Sequence, residues 1–255
     1  MIPKIIHYVW VGGNELDDMA KRCIASWKKY CPDYEIIQWN ESNFDIDSFR
    51  FARDAYEAKK FAHVSDVIRL YALVKRGGIY LDTDVEILKP LDCLLDCNAF
   101  IGFENESSLA TCLIACREEF EPIKKLLEEY HNRVFCAANL EPNNKHFGDF
   151  FSLRGLKFDN NYQVVDGVMI YPSEFFCPKG WGIKDFLTTN NTYAVHHFSA
   201  SWVSKEKKLI SAYYVKYGRK RGRILFTLRH PILANRIRHS NKRLRKQARL
   251  NQLNG

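Results

Sequence analysis

The stretch Gly77-Gly78-Ile79-Tyr80-Leu81-Asp82-Thr83-Asp84-Val85 constrains the fold more than any other part of the chain. Two glycines close a helix-like segment, and an apolar run too hydrophobic for a surface loop follows, stopping at two acids one residue apart. Side chains alternate along an extended chain, so Asp82 and Asp84 are expected to point the same way with Thr83 opposed. Two carboxylates on one side repel each other unless a cation lies between them. Oxygen ligands with room for a substrate phosphate suit Mg2+ or Mn2+ better than Zn2+. An isolated Asp-x-Asp is more often a solvated turn or a helix cap. The acids here end a buried-type strand, where open α/β sheets bind ligands, and that favours a metal site.

The remaining segments supply a sheet for this strand. Ile2 to Val11 is apolar and β-branched, Glu15 to Tyr30 reads as a helix stopped by Pro32, and Tyr34 to Trp39 reads as a second strand. Strand, helix, strand in that spacing is a βαβ unit, which predicts an α/β fold with a mostly parallel, Rossmann-like sheet flanked by helices. Gly12-Gly13 lacks the Gly-x-Gly-x-x-Gly spacing of a dinucleotide site. Asp47 to Lys60 reads as a rim helix. Strands are expected at Val85 to Leu88, Phe100 to Phe103, Leu109 to Cys116, Val164 to Tyr171 and Tyr193 to Trp202. Glu121-Pro122 opens a helix to about Val134, with proline in the first turn. Cys136 to Asn161 has little period and reads as a loop on the acceptor side.

Three further groups can serve a ligand. Trp10, at the tip of the first strand, either stacks on a base or packs in the core. Asp66 and Arg69, neighbours on the Ala62 to Arg76 helix, sit in apolar company as a buried ion pair or as ligand contacts at a cleft wall. His196 and His197 are adjacent on a strand and face opposite sides, so one of them alone can join Asp82 and Asp84 at a metal.

At 255 residues and 46% hydrophobic, the chain can bury one good-sized core. Its net charge of +8 is unevenly spread. Up to Glu206 there are 23 basic and 30 acidic residues, and the last fifty residues hold fifteen Lys and Arg with no acid after Glu206. A domain over residues 1–205 with a basic helical appendage over 206–255 follows. The appendage interleaves Ile, Leu and Phe with its bases, which favours an anionic membrane surface over a solubilising tail, and no base-reading motif points to nucleic acid. No apolar run reaches the ~18 residues of a membrane span. The amino terminus shows no signal-peptide pattern, so the eight cysteines are expected as reduced thiols in a cytoplasmic protein peripheral to the inner membrane face. The spacings Cys93/Cys97 and Cys112/Cys116 match no paired zinc motif.

Ile2-Pro3-Lys4-Ile5-Ile6-His7-Tyr8-Val9-Trp10, Ser65-Asp66-x-x-Arg69 leading into the Asp82-Thr83-Asp84 strand, and His196-His197 before Ser201-Trp202 together resemble glycosyltransferase family 32. This group includes yeast α-1,6-mannosyltransferases and bacterial capsule and lipopolysaccharide enzymes, with the glucosylating domains of clostridial toxins as distant relatives. The resemblance covers about residues 1–205 and implies a GT-A fold, a nucleotide-sugar donor, a divalent metal, and transfer with retention to give an α-linkage. It implies Asp82, Asp84 and His197 or His196 as metal ligands, with Asp66 on sugar hydroxyls and Arg69 on sugar or phosphate. The donor-binding set so implied is Val9, Trp10, Asp66, Arg69, Tyr80, Asp82, Thr83, Asp84 and Trp202, and uracil on Trp10 favours a UDP-sugar over GDP-mannose. The acceptor would be a glycan or lipid-linked oligosaccharide of surface polysaccharide synthesis, or, in a toxin-like enzyme, a protein. A binding protein that has lost activity is the reading outside the enzyme class. The Gly-Pro pair of many members is absent at Phe147-Gly148-Asp149-Phe150, a departure on the acceptor side.

Overall fold

The computed structural model describes residues 1–137, 140–178, 187–199 and 205–239. It divides into two units, one of Met1–Phe135 with Glu141–Ser199, and one of Cys136–Leu140 with Ala200–Gly255. The division falls at Ser199/Ala200, a few residues before the boundary expected at 205.

The first unit runs β1 (Ile5–Val9), α1 (Asp18–Tyr30), β2 (Glu35–Trp39), α2 (Arg50–Glu57), α3 (Phe61–Arg76), β3 (Gly78–Leu81), β4 (Val85–Ile87), β5 (Ala99–Asn105), β6 (Ser108–Cys116), α4 (Glu121–Asn132), α5 (Asn143–Ser152), β7 (Gln163–Val165), β8 (Val168–Tyr171) and β9 (Ala194–His196). Seven strands form one sheet in the order β2-β1-β3-β6-β5-β8-β7, and β4 pairs with β9 in a separate two-stranded sheet. The expected βαβ unit is present, since β1 is parallel to both β2 and β3. β6 runs antiparallel to β3 and β5, and β7 antiparallel to β8, so five of the seven strands point the same way. The α/β layering implied by the resemblance is therefore present.

Strand alternation divides the core between the two faces of the sheet. Ile79 and Leu81 of β3 join Ile6, Tyr8 and Trp27 on the α1 side. Tyr80, between them, joins Val67, Ile68 and Leu70 on the side covered by α2 to α5. α1 starts where Asp17 accepts a hydrogen bond from the Ala20 amide, three residues after the expected start at Glu15. Trp27 of α1 is fully buried and donates its indole N–H to the Val85 carbonyl at 2.7 Å, while the Ile87 amide donates to the Ser26 hydroxyl. Burying a side chain of this size contributes roughly 2–3 kcal/mol, and its hydrogen bond clamps β4 beside the acids.

The entry to β3 demands glycine. Gly77 and Gly78 have φ of +60° and +101°, and a Cβ on Gly78 would lie 2.6 Å from the Ile5 carbonyl oxygen. The tight contact lets β3 pair with β1 immediately after α3 ends.

Three expectations change. Cys136 to Asn161 is not a loop throughout, because Phe147, Phe150 and Phe151 bury one face of α5. The segment Val164 to Tyr171 is a hairpin whose two turn residues, Asp166 and Gly167, have φ of +50° and +78°. Asp-Gly is the sequence signature of that turn. The strand expected over Tyr193 to Trp202 is three residues long, and its end beyond Ser199 lies outside the described residues.

In the second unit the appendage is helical where described: α6 (Lys205–Tyr217), α7 (Arg219–Arg229) and a further helix over 231–239. α6 and α7 meet where Tyr213 packs edge-on against buried Phe226 at 5.6 Å. Gly222 permits this approach, since a Cβ there would lie 2.5 Å from the Tyr213 carbonyl oxygen. Ile224, Leu228 and Ile232 are left exposed among the bases.

Candidate metal centre and donor site

Asp82 closes β3 by donating its amide to the Cys112 carbonyl of β6. The chain then reverses, the Val85 amide donating to the Asp82 carbonyl at 3.0 Å. The two acids thus flank a tight turn rather than alternating along a strand. The expected convergence of Asp82 and Asp84 is found, but it is the turn that produces it.

β9 brings in the histidine by pairing Val85 with His196. His196 Nε2 lies 3.2 Å from Asp84 Oδ1, and Asp84 Oδ2 accepts the Ser199 amide at 2.8 Å. One ligand atom from each of Asp82, Asp84 and His196 lies within 4.8 Å of the others. His197 turns away to Glu86, its Nε2 2.7 Å from the carboxylate. Of the two candidates the sequence left open, His196 therefore stands with the acids, and His197 lies against Glu86.

The two carboxyls are pushed in opposite directions. Burial raises Asp82 above the ordinary carboxylate value, with Arg69 opposing the shift and the Asp84 charge adding to it. Burial would also raise Asp84, but hydrogen bonds from His196 and Ser199 outweigh it and hold that carboxyl down at about 2. For His196, burial opposes the charged imidazolium while Cys112 and Asp84 favour it, and the result lies well above the ordinary histidine value.

Asp66 and Arg69 are both buried, 6% and 4% exposed, and paired at 3.0 Å. Arg69 also donates to the Thr111 carbonyl at 2.7 Å and to the Ser65 carbonyl and hydroxyl, lies 4.6 Å over the Tyr80 ring, and reaches Asp82 at 3.5 Å. The Tyr80 hydroxyl donates to Asp82 at 2.7 Å. The pair is a buried ion pair that extends to the first acid of the motif, so Arg69 and Tyr80 fix the Asp82 carboxylate from the α3 side.

The parallel β1–β3 register puts the end of β1 at the same sheet edge. There Trp10 is half-buried and donates its indole N–H to the Asn14 carbonyl at 2.7 Å, while Val9 is buried in the core and Thr83 is half-buried. Trp202 lies outside the described residues.

Glu104 and Cys177 are not singled out by the sequence, and Cys112 enters it only through its spacing to Cys116. Glu104 is half-buried in the stretch where the β5–β6 register slips between Phe103 and Asn105. Burial raises its carboxyl, with His196 and a hydrogen bond from Asn144 opposing the shift. Only the run Phe103-Glu104-Asn105 at a strand end could have flagged it. The two cysteines come together from positions 65 residues apart, with sulfurs at 3.6 Å, and carry no local motif.

The donor set fits a hard divalent cation. Two carboxylates and one imidazole converge within one coordination sphere's reach, and Asp84 is held ionised.

The family described as "Glycosyltransferase sugar-binding region containing DXD motif" matches residues 17–101, which include the turn and its supporting helix. Inositol phosphoceramide mannosyltransferase 3 of Schizosaccharomyces pombe is 33% identical over 115 residues, 43% of this chain and 32% of the relative. Inositol phosphoceramide mannosyltransferase 2 of the same yeast is 35% identical over 99 residues, 37% of this chain and 28% of the relative. The chain thus spans about a third of the length of these relatives. Among solved structures, the PaToxG glycosyltransferase aligns with a TM-score of 0.47 at 18% identity, covering 60% of this chain and 68% of that one. Over residues 17–101 this chain is similar to the glycosyltransferase sugar-binding regions that contain the DXD motif.

Proposed function

We propose that the protein is a metal-dependent, retaining GT-A glycosyltransferase that moves a hexose or N-acetylhexosamine from a nucleotide sugar to a glycan acceptor, forming an α-linkage. The observation that carries the reading is the convergence of Asp82, Asp84 and His196 beside the buried Arg69, inside the segment that matches the DXD family.

Asp82, Asp84 and His196 would hold Mn2+ or Mg2+, and a cation bound there would offset the diphosphate charge that builds as the glycosidic bond breaks. The chain's own part is preorganisation. Tyr80 and Arg69 fix Asp82, the Ser199 amide and His196 fix Asp84, and Arg69 adds fixed positive charge on the donor side. Asp66 keeps Arg69 in place and, on this reading, would be the sugar-side carboxylate. Trp10 at the shared sheet edge would stack on the base of a UDP-sugar. The names of the yeast relatives, inositol phosphoceramide mannosyltransferases, favour a second reading in which the transferred sugar is mannose and the acceptor a lipid.

The basic helices, with Ile224, Leu228 and Ile232 exposed among them, support attachment to an anionic membrane surface on the cytoplasmic side. An enzyme there would extend a lipid-linked surface polysaccharide such as capsule, O-antigen or lipopolysaccharide.

A donor screen tests the reading. Full-length protein with Mn2+ is offered UDP- and GDP-sugars, and nucleotide release is read with and without chelator. Chelator-sensitive release from one donor is expected. No release from any donor, together with no nucleotide binding, would remove the transferase reading.

A further inference from the structure

Behind the acids lies a second cluster whose chemistry is different. Cys112 of β6 and Cys177, which follows β8, are 3% and 2% exposed, and their sulfurs are 3.6 Å apart. A ligand nitrogen of His196 lies within 4.8 Å of both sulfurs, and all three side chains belong to the first unit. The Nε2 atom of His196 faces Asp84, while Nδ1 is buried without a hydrogen-bond partner. Buried polar nitrogens are rarely left so.

The separation of the sulfurs is informative. Two thiolates on one tetrahedral zinc, with Zn–S bonds of about 2.3 Å, stand ~3.8 Å apart. The observed 3.6 Å therefore needs almost no rearrangement to become the edge of such a site. With Nδ1 as third ligand the set is Cys2His, and the fourth position falls to water, an arrangement zinc accepts. Asp84 would then accept a hydrogen bond from Nε2–H and orient the imidazole, as carboxylates commonly do for zinc-bound histidine. The two thiol protons leave to solvent as the metal enters.

We propose that Cys112, Cys177 and His196 form a zinc site that competes with the Asp82/Asp84 cation for His196. A neutral imidazole has one lone pair, on one of its two nitrogens. If Nδ1 binds zinc, Nε2 carries the proton and cannot serve the hard cation. If Nε2 binds the hard cation, Nδ1 carries the proton and the thiols lose their third ligand. Zinc is thereby an inhibitor that acts from behind the donor site. The competition rests on the donor-site reading above; zinc binding by the cysteines does not.

The test uses reduced, metal-free, full-length protein titrated with Co2+ as a coloured stand-in for zinc. Equimolar uptake with a thiolate-to-cobalt charge-transfer band and strong tetrahedral d–d bands is expected, and Zn2+ should bleach both. Cys112→Ser and Cys177→Ser should each abolish the charge-transfer band. His196→Gln, at a half-buried position that tolerates an amide, should weaken binding on the order of tenfold or more and serves if the cysteine variants fail to fold. Asp84→Asn should keep the charge-transfer band, which separates this site from the acids. Cobalt bound without that band, or with a band unchanged in His196→Gln, would overturn the proposal. So would a signal lost in Asp84→Asn but kept in Cys112→Ser.

Discussion

His196 Nε2 and Asp84 Oδ1 face each other at 3.2 Å across the β4–β9 pair, joining the turn that begins at Asp82 to a strand far along the chain. Asp84 also takes the Ser199 amide, so its position is fixed by a geometry that an asparagine side chain can still occupy. Asp84→Asn should therefore keep the fold and lose the cation. The wild type should gain thermal stability with Mn2+, by ~2.7 kcal/mol when the metal is at a hundred times its dissociation constant. The variant should show no Mn2+-dependent shift in Tm and no chelator-sensitive nucleotide release. A full shift in the variant would remove Asp84 from the ligand set.

Arg69 sits between two carboxylates, Asp66 at 3.0 Å and Asp82 at 3.5 Å, with 4% of its surface exposed. Replacing it by methionine would fill the volume and leave both acids without their cation. Breaking one side of a buried pair is destabilising by about 3–5 kcal/mol. Arg69→Lys should rescue little, because an ammonium cannot reach the Thr111 carbonyl, Ser65 and the two acids in one planar fork. Urea denaturation reads both, and a loss below ~1 kcal/mol for methionine would mean the pair contributes no more than an exposed surface pair.

His7 gives a pH dependence whose sign is set by burial. Trp39 donates to its Nδ1 at 3.0 Å, which leaves Nε2–H to donate to the Gly77 carbonyl at 2.7 Å, so the native ring is neutral. Burial is the main cause that lowers its pKa to about 4, against an ordinary value of 6.5. The unfolded chain therefore binds a proton first as pH falls. The contribution of His7 is fully present above pH 6.5 and is lost progressively between 6.5 and 4, by about 3 kcal/mol in all. Histidine NMR on the folded protein should show one ring titrating near pH 4 as the Nε2–H tautomer. A His7 midpoint above 6 would rule out the burial argument.

Local patterns carried the donor side of the molecule into view. β-branched runs, the Gly77-Gly78 stop and Asp82-Thr83-Asp84 gave the βαβ unit and the acids, because each is encoded within a few residues. Asp82 and Asp84 converge through a reverse turn, and the sequence does not separate that from strand alternation, since both bring i and i+2 together. The choice between His196 and His197 depended on the pairing of β9 with β4, a contact between distant segments. The Cys112–Cys177 contact is hidden for the same reason. α5 was missed because its apolar period is carried by phenylalanines within a polar stretch. The Asp166-Gly167 hairpin, by contrast, was fully legible as a turn signal and was overlooked inside a longer alternating run.

The appendage should bind anionic lipid through charge. Each Lys or Arg near such a surface contributes ~1 kcal/mol, so changing Lys220, Arg221 and Arg223 to glutamine should weaken binding to phosphatidylserine vesicles roughly a hundredfold. High salt should weaken the wild type in the same direction. Binding unchanged in the triple variant would locate the contact elsewhere on the protein.

Trp10 decides between the two donor classes. It lies at the end of β1, half-buried, its indole N–H on the Asn14 carbonyl, next to the strand that ends in Asp82. A base stacked on it would be held by the ring face, which that hydrogen bond leaves in position. Trp10→Ala should then weaken UDP binding by ~1–3 kcal/mol, the scale of one base–aromatic stack. Because half of the side chain already packs on the core, the same change should lower stability by a similar amount. The two effects are separated by measuring UDP affinity calorimetrically at a temperature where the variant is fully folded. An affinity for UDP equal to wild type would make Trp10 a packing residue, and with it would go the argument for uracil over guanine.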